Sequence, residues 1–309
     1  MKVPSIVKTI QSKPLLEINY AYHKTISYSQ FATYYECPHK WELQYKDNLQ
    51  QYEPTIHTVF GTAMHSAIQH YLTLVYQESG ASADKFDIKT FFEDEFRKTY
   101  LKEYETNKNT HFSSAVEMRE FFDDGIAILN FFKKKRNGYF SKRGWHLVAC
   151  ELPIVLSPNK AFNNVIYKGY IDLVMYHEPT NKFKIYDFKT STRGWNDDAK
   201  RDEKKQFQLL FYKKYFSELH NVPEDDVEVE FIILKRKIWE ESEYPQSRIQ
   251  EYIPPSGKIK MNKAKNALEN FLNECFNVDG SYKDTSHPVN PSKSCQWCPF
   301  NERKDLCNK

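Results

Sequence analysis

Gly169-Tyr170-Ile171-Asp172-Leu173-Val174, followed by Ile185-Tyr186-Asp187-Phe188-Lys189-Thr190, decides the fold of this chain. Both are apolar runs with the β-branched and aromatic content of strands, and each delivers one aspartate. Side chains alternate along a strand with period two, so Asp187 and Lys189 point the same way, about 7 Å apart. Turn chemistry around Asn181-Lys182 predicts that the two runs fold into neighbouring strands, which brings Asp172 close to Asp187. Two carboxylates beside one lysine suit the holding of a hard divalent cation and the stabilisation of charge on an attacked phosphate. That is the chemistry of phosphodiester hydrolysis. An exposed Asp187–Lys189 ion pair is the plain alternative, but it leaves unexplained why charges interrupt two otherwise apolar strands.

Outward from this pair, the 309 residues suffice for one large domain or two small ones with a full core. The formal charge of +3 is too small to indicate nucleic-acid binding by itself, so any basic footprint has to be local. No run of eighteen apolar residues occurs, and the Met1-Lys2 start lacks the apolar core of a signal peptide, which predicts a soluble, cytoplasmic protein. In such a compartment the six cysteines point to metal ligation or plain burial rather than disulfides.

Residues 1–24 show little periodicity and read as an arm or peripheral strand. Ser27 and Gln30 fit a capping box that opens a helix through Tyr35. Helices are predicted over 57–76, 88–105 and 115–135, the last carrying Met118, Phe122, Ile126, Leu129 and Phe132 as an apolar stripe. Three successive strands follow at 145–156, 165–177 and 182–189, then a helix over 200–219, strands at 227–234 and 249–252, and a helix over 258–276. This is an α/β core with an N-terminal helical elaboration.

These residues resemble the PD-(D/E)XK nuclease superfamily, and within it the RecB-like exonuclease branch. The resemblance rests on Gly61-Thr62-Ala63-Met64-His65, on Asp172, on Asp187-Phe188-Lys189-Thr190 and on Gln208-Leu209-Leu210-Phe211-Tyr212, in the family's order. It implies a restriction-endonuclease-like core, a mixed sheet flanked by helices, with a C-terminal cysteine staple. It also implies an arm over 1–24 and a single nuclease domain over 25–309. Within that domain 25–140 is the helical part, 141–287 the core and 288–309 a cluster-binding tail that pairs with Cys37. The metal ligands implied are His65, Asp172, Asp187 and the Phe188 carbonyl, for Mg2+ or Mn2+. Asp172, Asp187, Lys189, Gln208 and Tyr212 form the catalytic set. Taken alone, a histidine on an apolar helix face serves a core as readily as a metal, and Gln208 with Tyr212 is also compatible with the polar edge of an amphipathic helix. Gly61 is expected to let its helix approach the sheet closely. Glu151, on the first strand, either supplies an outer carboxylate or faces solvent.

Cys295-Gln296-Trp297-Cys298 is a C-x-x-C knuckle with Cys307 beyond it, and Cys37 lies far away near the N-terminus. Four thiolates suit zinc or an iron–sulfur cluster. Zinc domains bring two close-spaced pairs, whereas one distant cysteine plus three resembles the 4Fe–4S staple of RecB-like nucleases such as the AddB nuclease domain. The gap between Cys298 and Cys307 is longer than that family pattern, which leaves His39 as a substitute ligand. Cys150 and Cys275 read as buried bystanders.

Basic runs at 133–136, 142–143, 200–201, 204–205 and 235–237 could each track phosphates or simply solvate a helix face. Arg193 and Trp195, just after the D-x-K-T strand, are the best-placed candidates for DNA contact. The expected activity is a metal-dependent DNA exonuclease acting on single strands or duplex ends, in recombination, repair or phage DNA metabolism in a bacterial or phage-infected cell. With no phosphate-binding loop of its own, it works alone or borrows a separate helicase. The alternatives are a structure-specific endonuclease, a ribonuclease, or a non-catalytic DNA-binding module on the same core.

Overall fold

A computed structural model describes residues 3–49 and 53–307. Its centre is a six-stranded mixed sheet: β1 (Lys24–Ile26), β2 (Trp145–Leu156), β3 (Val165–His177), β4 (Lys182–Ser191), β5 (Val227–Lys235) and β6 (Ile249–Tyr252). β2, β3 and β4 form the expected antiparallel meander. β5 then runs parallel to β4 after a helical crossover, as a parallel pair requires, and β6 closes antiparallel to β5.

β3 has three neighbours. β2 lies along one edge, while β1 and β4 share the other: β1 pairs with Val165 to Tyr167 and β4 with Leu173 to His177. Residues 168–172 therefore face a fork in the sheet, with no neighbouring strand on that side among the described residues.

The helices are α1 (Ser5–Gln11), α2 (Tyr28–Glu36), α3 (Pro38–Trp41), α4 (Ile56–Gln77), α5 (Gly80–Lys85), α6 (Ile88–Thr106), α7 (Ala115–Tyr139), α8 (Asp197–Arg201), α9 (Glu203–His220) and α10 (Lys258–Cys275), with a π-helical turn at Glu42–Lys46. None of the described helices is long and apolar enough to cross a membrane. Two helical layers sandwich the sheet. α4, α6 and α7 pack on Leu173, Met175, Tyr186, Phe188 and Ile232, while α2, α9 and α10 pack on Val174, Phe183, Ile185, Phe231 and Ile233. Consecutive residues of β4 thus serve opposite layers, as the pleat dictates. Ser27 accepts from the Gln30 N–H at 3.3 Å and starts α2 where the capping signal predicts.

Three expectations need correction. Residues 5–11 form a helix rather than the plain arm or peripheral strand expected, burying Val7 and Ile10 against the core. Seven residues are too few for a periodic signal to register. The single helix predicted over 200–219 is broken at Asp202, whose carboxylate accepts from the Lys204 N–H at 3.0 Å and caps a new helix, α9. Gly61 does face the sheet, but a Cβ there would meet only Thr190 Oγ1 at an ordinary 3.7 Å. The close approach is at Gly125 of α7 instead, where a Cβ would lie 2.4 Å from Phe92 and 3.2 Å from Phe60. α7 is also pinned to the sheet by Asp124, which pairs with buried Arg236 at 3.0 Å and with Lys237 at 3.0 Å.

Gly125→Ala is expected to lower stability by about 1–3 kcal/mol through overpacking, despite the better helix propensity of alanine. Urea unfolding measures this, and an unchanged or raised midpoint contradicts the close-packing account.

Candidate active site

The β3–β4 turn is a 3-10 segment, Glu178–Thr180, ended by Asn181 at φ +55°, a left-handed position that asparagine tolerates. Tyr176 Oη donates to Asn181 Oδ1 at 2.8 Å and fixes it. From this turn the ladder runs from His177–Lys182 down to Leu173–Tyr186 and stops. The next two residues are Asp172 and Asp187. Asp172 Oδ2 accepts from the Phe188 N–H at 2.7 Å, so a carboxylate takes the place of a strand carbonyl at the fork.

β3 also turns over here. Tyr167 and Ile171 pack on the α9 layer, yet so do Val174 and Tyr176 beyond, which a strict period-two strand does not allow. On the neighbouring strand Cys150 pairs with Leu173 and Leu152 with Ile171, while Glu151 between them sits at φ +52°. A left-handed glutamate costs about 1–2 kcal/mol, and such strain concentrates at functional sites.

Helix α4 supplies the remaining groups. His65 Nδ1 is 3.5 Å from Asp172 Oδ2, and one ligand atom from each of His65, Glu151 and Asp172 lies within 4.8 Å of the others. Gln69, one turn on, donates to Glu151 Oε1 at 2.6 Å and to the Asp172 carbonyl at 3.0 Å. This residue was not singled out from sequence, although its spacing of four from His65 puts it on the same helix face. Asp187 is 0% exposed. Lys189 Nζ lies 2.6 Å from its Oδ2, but neither carboxylate oxygen receives a hydrogen bond of good geometry. The Phe188 backbone hydrogen-bonds His65, and its ring packs edge-on to the imidazole at 6.0 Å.

Burial controls the electrostatics. It raises the Asp172 carboxyl from the ordinary 3.8 to about 7 and the Asp187 carboxyl to about 6, against the opposing pull of Lys189. Burial, with the Lys189 charge, lowers the pKa of His65, so the imidazole stays neutral and able to ligate. Gln208 Nε2 donates to Tyr212 Oη at 3.2 Å, and both line a groove beside the acidic centre.

The other predicted contacts are dispersed. Arg193 lines a different groove with Lys235, Lys237 and Trp239. The ring of Trp195 packs on Phe231 at 4.9 Å, and its backbone N–H donates to Gln250 Oε1 at 2.7 Å. Within the basic runs, Arg136 pairs with Asp84, Arg201 with Asp198, Lys204 with Glu36, and Arg236 and Lys237 with Asp124. These charges are largely used inside the fold.

The sequence model of the PD-(D/E)XK nuclease superfamily matches residues 25–304. This chain belongs to that superfamily. No curated protein matches it. As a PD-(D/E)XK protein it is a nuclease by family, and the matched range contains Asp172, Asp187 and Lys189.

The buried Asp172 carboxylate, the exposed Glu151 and the neutral His65 imidazole form a donor set that fits a divalent cation, with two oxygen donors for magnesium and one nitrogen that manganese accepts, and Asp187 lies beside Lys189 next to it. This PD-(D/E)XK protein also brings Cys37, Cys295, Cys298 and Cys307 to one pocket, with His39 at its wall. Both ring nitrogens of His39 are engaged, with the Leu306 carbonyl at 2.8 Å and Glu42 at 3.4 Å. Cys275 is buried, and Cys150 is partly buried with its thiol pushed up to about 11 by desolvation.

The folded carboxyls hold protons to higher pH than unfolded ones, so without metal their contribution to stability falls as pH rises from about 4 to about 7. Ligands must be deprotonated, so Mn2+ is expected to raise the Tm more at about pH 8 than at about pH 5. Glu151→Gly is expected to raise the metal-free Tm by relieving the left-handed strain while shrinking the Mn2+ shift. An equal shift in Glu151→Gly and wild type, by differential scanning fluorimetry, removes Glu151 from the ligand set.

Proposed function

We propose that this protein is a divalent-metal-dependent DNA exonuclease of the RecB-like branch, hydrolysing phosphodiester bonds on single strands or duplex ends in recombination, repair or phage DNA metabolism. The observation that carries the reading is the pair of buried aspartates, Asp172 and Asp187, with Lys189 Nζ 2.6 Å from Asp187 and the His65–Glu151–Asp172 group beside them. Two buried carboxyls that share one ammonium leave negative charge uncompensated, which is costly and which a structural role does not call for.

His65, Glu151, Asp172 and Asp187 would hold the cation, with the Phe188 carbonyl near them. When bound, Mg2+ or Mn2+ acidifies the attacking water and neutralises charge on the phosphate. Lys189, on the same face of β4 as Asp187, presents its ammonium to the negative charge that grows on the phosphate oxygens. Asp172 holds the Phe188 N–H and so keeps β4 in register with the fork. Gln69 holds Glu151 and the Asp172 carbonyl together. Burial keeps the Tyr212 phenol protonated, and because that oxygen accepts from Gln208, its own proton is left to donate towards the groove.

The four cysteines would hold a 4Fe–4S cluster. They line one pocket, and backbone N–H groups of Asn290 and Ser292 point at Cys37 Sγ and Cys295 Sγ, both at 3.4 Å, as donors do around cluster sulfurs. A zinc tetrahedron with bonds of about 2.3 Å brings its sulfurs to about 3.8 Å of one another. Among the described residues only the His65 group meets within 4.8 Å, so the thiols stand wider than zinc prefers. The cluster would then staple the C-terminal tail to a segment 253 residues earlier.

End-labelled DNA incubated with anaerobically purified protein is expected to be degraded with Mg2+ or Mn2+ and untouched with chelator. Asp187→Ala is expected to abolish cleavage while keeping the far-ultraviolet circular dichroism of wild type. Folded protein inert on DNA with both metals sinks the exonuclease reading, and cleavage of a closed circular single strand turns it to endonuclease. Iron and acid-labile sulfide in near-equal amounts, lost in Cys298→Ser, are expected from the staple. Zinc in their place overturns the cluster.

A further inference from the structure

The fork in the sheet opens onto a groove that the hydrolytic chemistry alone does not account for. It runs from residues 168–170 of β3, past Gln208 and Tyr212 of α9, over the first turn of α2, to Tyr282. Its wall at Tyr28 and Tyr212 lies near enough to Asp187 to feel that carboxylate's charge. Burial raises the pKa of the Tyr28 and Tyr212 phenols, and the charge of Asp187 adds to both shifts.

Three properties of the groove point to one kind of occupant. Six of its sixteen lining residues are tyrosines and none is Asp or Glu, although a chain with 41 acidic residues in 309 would place about two there by chance. Its two lysines lie by tyrosine rings: Lys24 Nζ is 4.1 Å from the centroid of Tyr282 and Lys168 Nζ 6.0 Å from that of Tyr170. Among the described residues neither of these ammonium groups has a carboxylate partner, in contrast to Arg136, Arg201, Lys204, Arg236 and Lys237. Finally, Tyr170 is 46% exposed and Tyr20 is 68% exposed, so these rings are not explained by a core. Tyr170 stands two residues before Asp172 on β3.

Unpaired cations beside open aromatic faces match a polynucleotide whose bases are unstacked: the rings take bases of any identity and the lysines take phosphates. A duplex hides its base faces against each other and cannot use the tyrosines. We propose that this groove holds an unpaired DNA strand and leads it to the acidic centre, with Tyr170 as the stacking platform nearest the cleavage point and Lys168 as its phosphate contact. This rests on the nuclease reading for the identity of the ligand. The specificity it adds is for single strands, or for duplex ends that have been frayed.

The test is fluorescence anisotropy of the full chain with labelled oligo(dT) and with a blunt hairpin duplex, in chelator so that nothing is cut. Tyr170→Ala is expected to weaken oligo(dT) binding roughly tenfold, while Tyr170→Phe, which keeps the ring, binds as wild type. Hairpin affinity is expected to be the same in all three. Lys168→Gln is expected to flatten the dependence of log K on log salt by about 0.7, the value for one single-strand phosphate contact. Oligo(dT) binding unchanged in Tyr170→Ala overturns the proposal, as does an equal loss of hairpin binding. The two readings fail separately. Protein that degrades DNA but ignores Tyr170→Ala loses the groove and keeps the nuclease. Protein that shows the Tyr170 effect but cuts nothing with Mn2+ keeps the groove and loses the nuclease.

Discussion

The hydrogen bond from the Phe188 N–H to Asp172 Oδ2 is the interaction on which the rest depends. It lies where the β3–β4 ladder ends, and it substitutes a side-chain acceptor for the carbonyl that a continuing strand would offer. With that donor satisfied, β4 leaves β3 without a backbone penalty and goes on pairing with β5 through Ser191. The space it vacates becomes the fork, with the two aspartates at its head and β1 at its far end. A regular ladder at the same place would close the sheet and leave no fork.

The fork is electrostatically expensive. Two carboxyls lie in a low-dielectric wedge between helical layers, and burial raises both above their ordinary range. The surroundings answer with one ammonium from Lys189, one amide from Gln69 and one neutral imidazole from His65. That is less positive charge than the ionised carboxylates would carry negative, an imbalance that a bound cation would offset. The left-handed backbone at Glu151 belongs to the same economy: β2 accepts local strain and brings a third carboxylate to the other two groups.

Away from the centre, most of the conspicuous basic residues are structural. Arg236 and Lys237 fasten α7 through Asp124, and Lys204 ties α9 to Glu36 of α2. Lys24 and Lys168, which belong to no run, stand out because the fold puts them by tyrosines in one groove. At the other end of α2, the pocket shared by the four cysteines joins the N-terminal and C-terminal segments, so the helix that walls the groove is anchored at both ends.

The sequence by itself determined the strands and helices of the core, because apolar periodicity and capping are local properties. The bounds of β2, β3 and β6 follow directly from where β-branched and aromatic runs meet turn residues. It also placed Asp187 and Lys189 on one face, since a single regular strand carries both. The short α1, with two buried residues, and the break at Asp202 escaped, being settled by packing and by one cap. Only the tertiary structure decided what surrounds the carboxylates. Gln69 and Glu151 become partners of Asp172 because α4 crosses the sheet where β2 and β3 both depart from regular pairing, and no periodic signal marks such a crossing. The tyrosine groove is likewise invisible in sequence. Its rings come from five separated segments, and they meet beside the edge of β3 that β1 and β4 leave open between them.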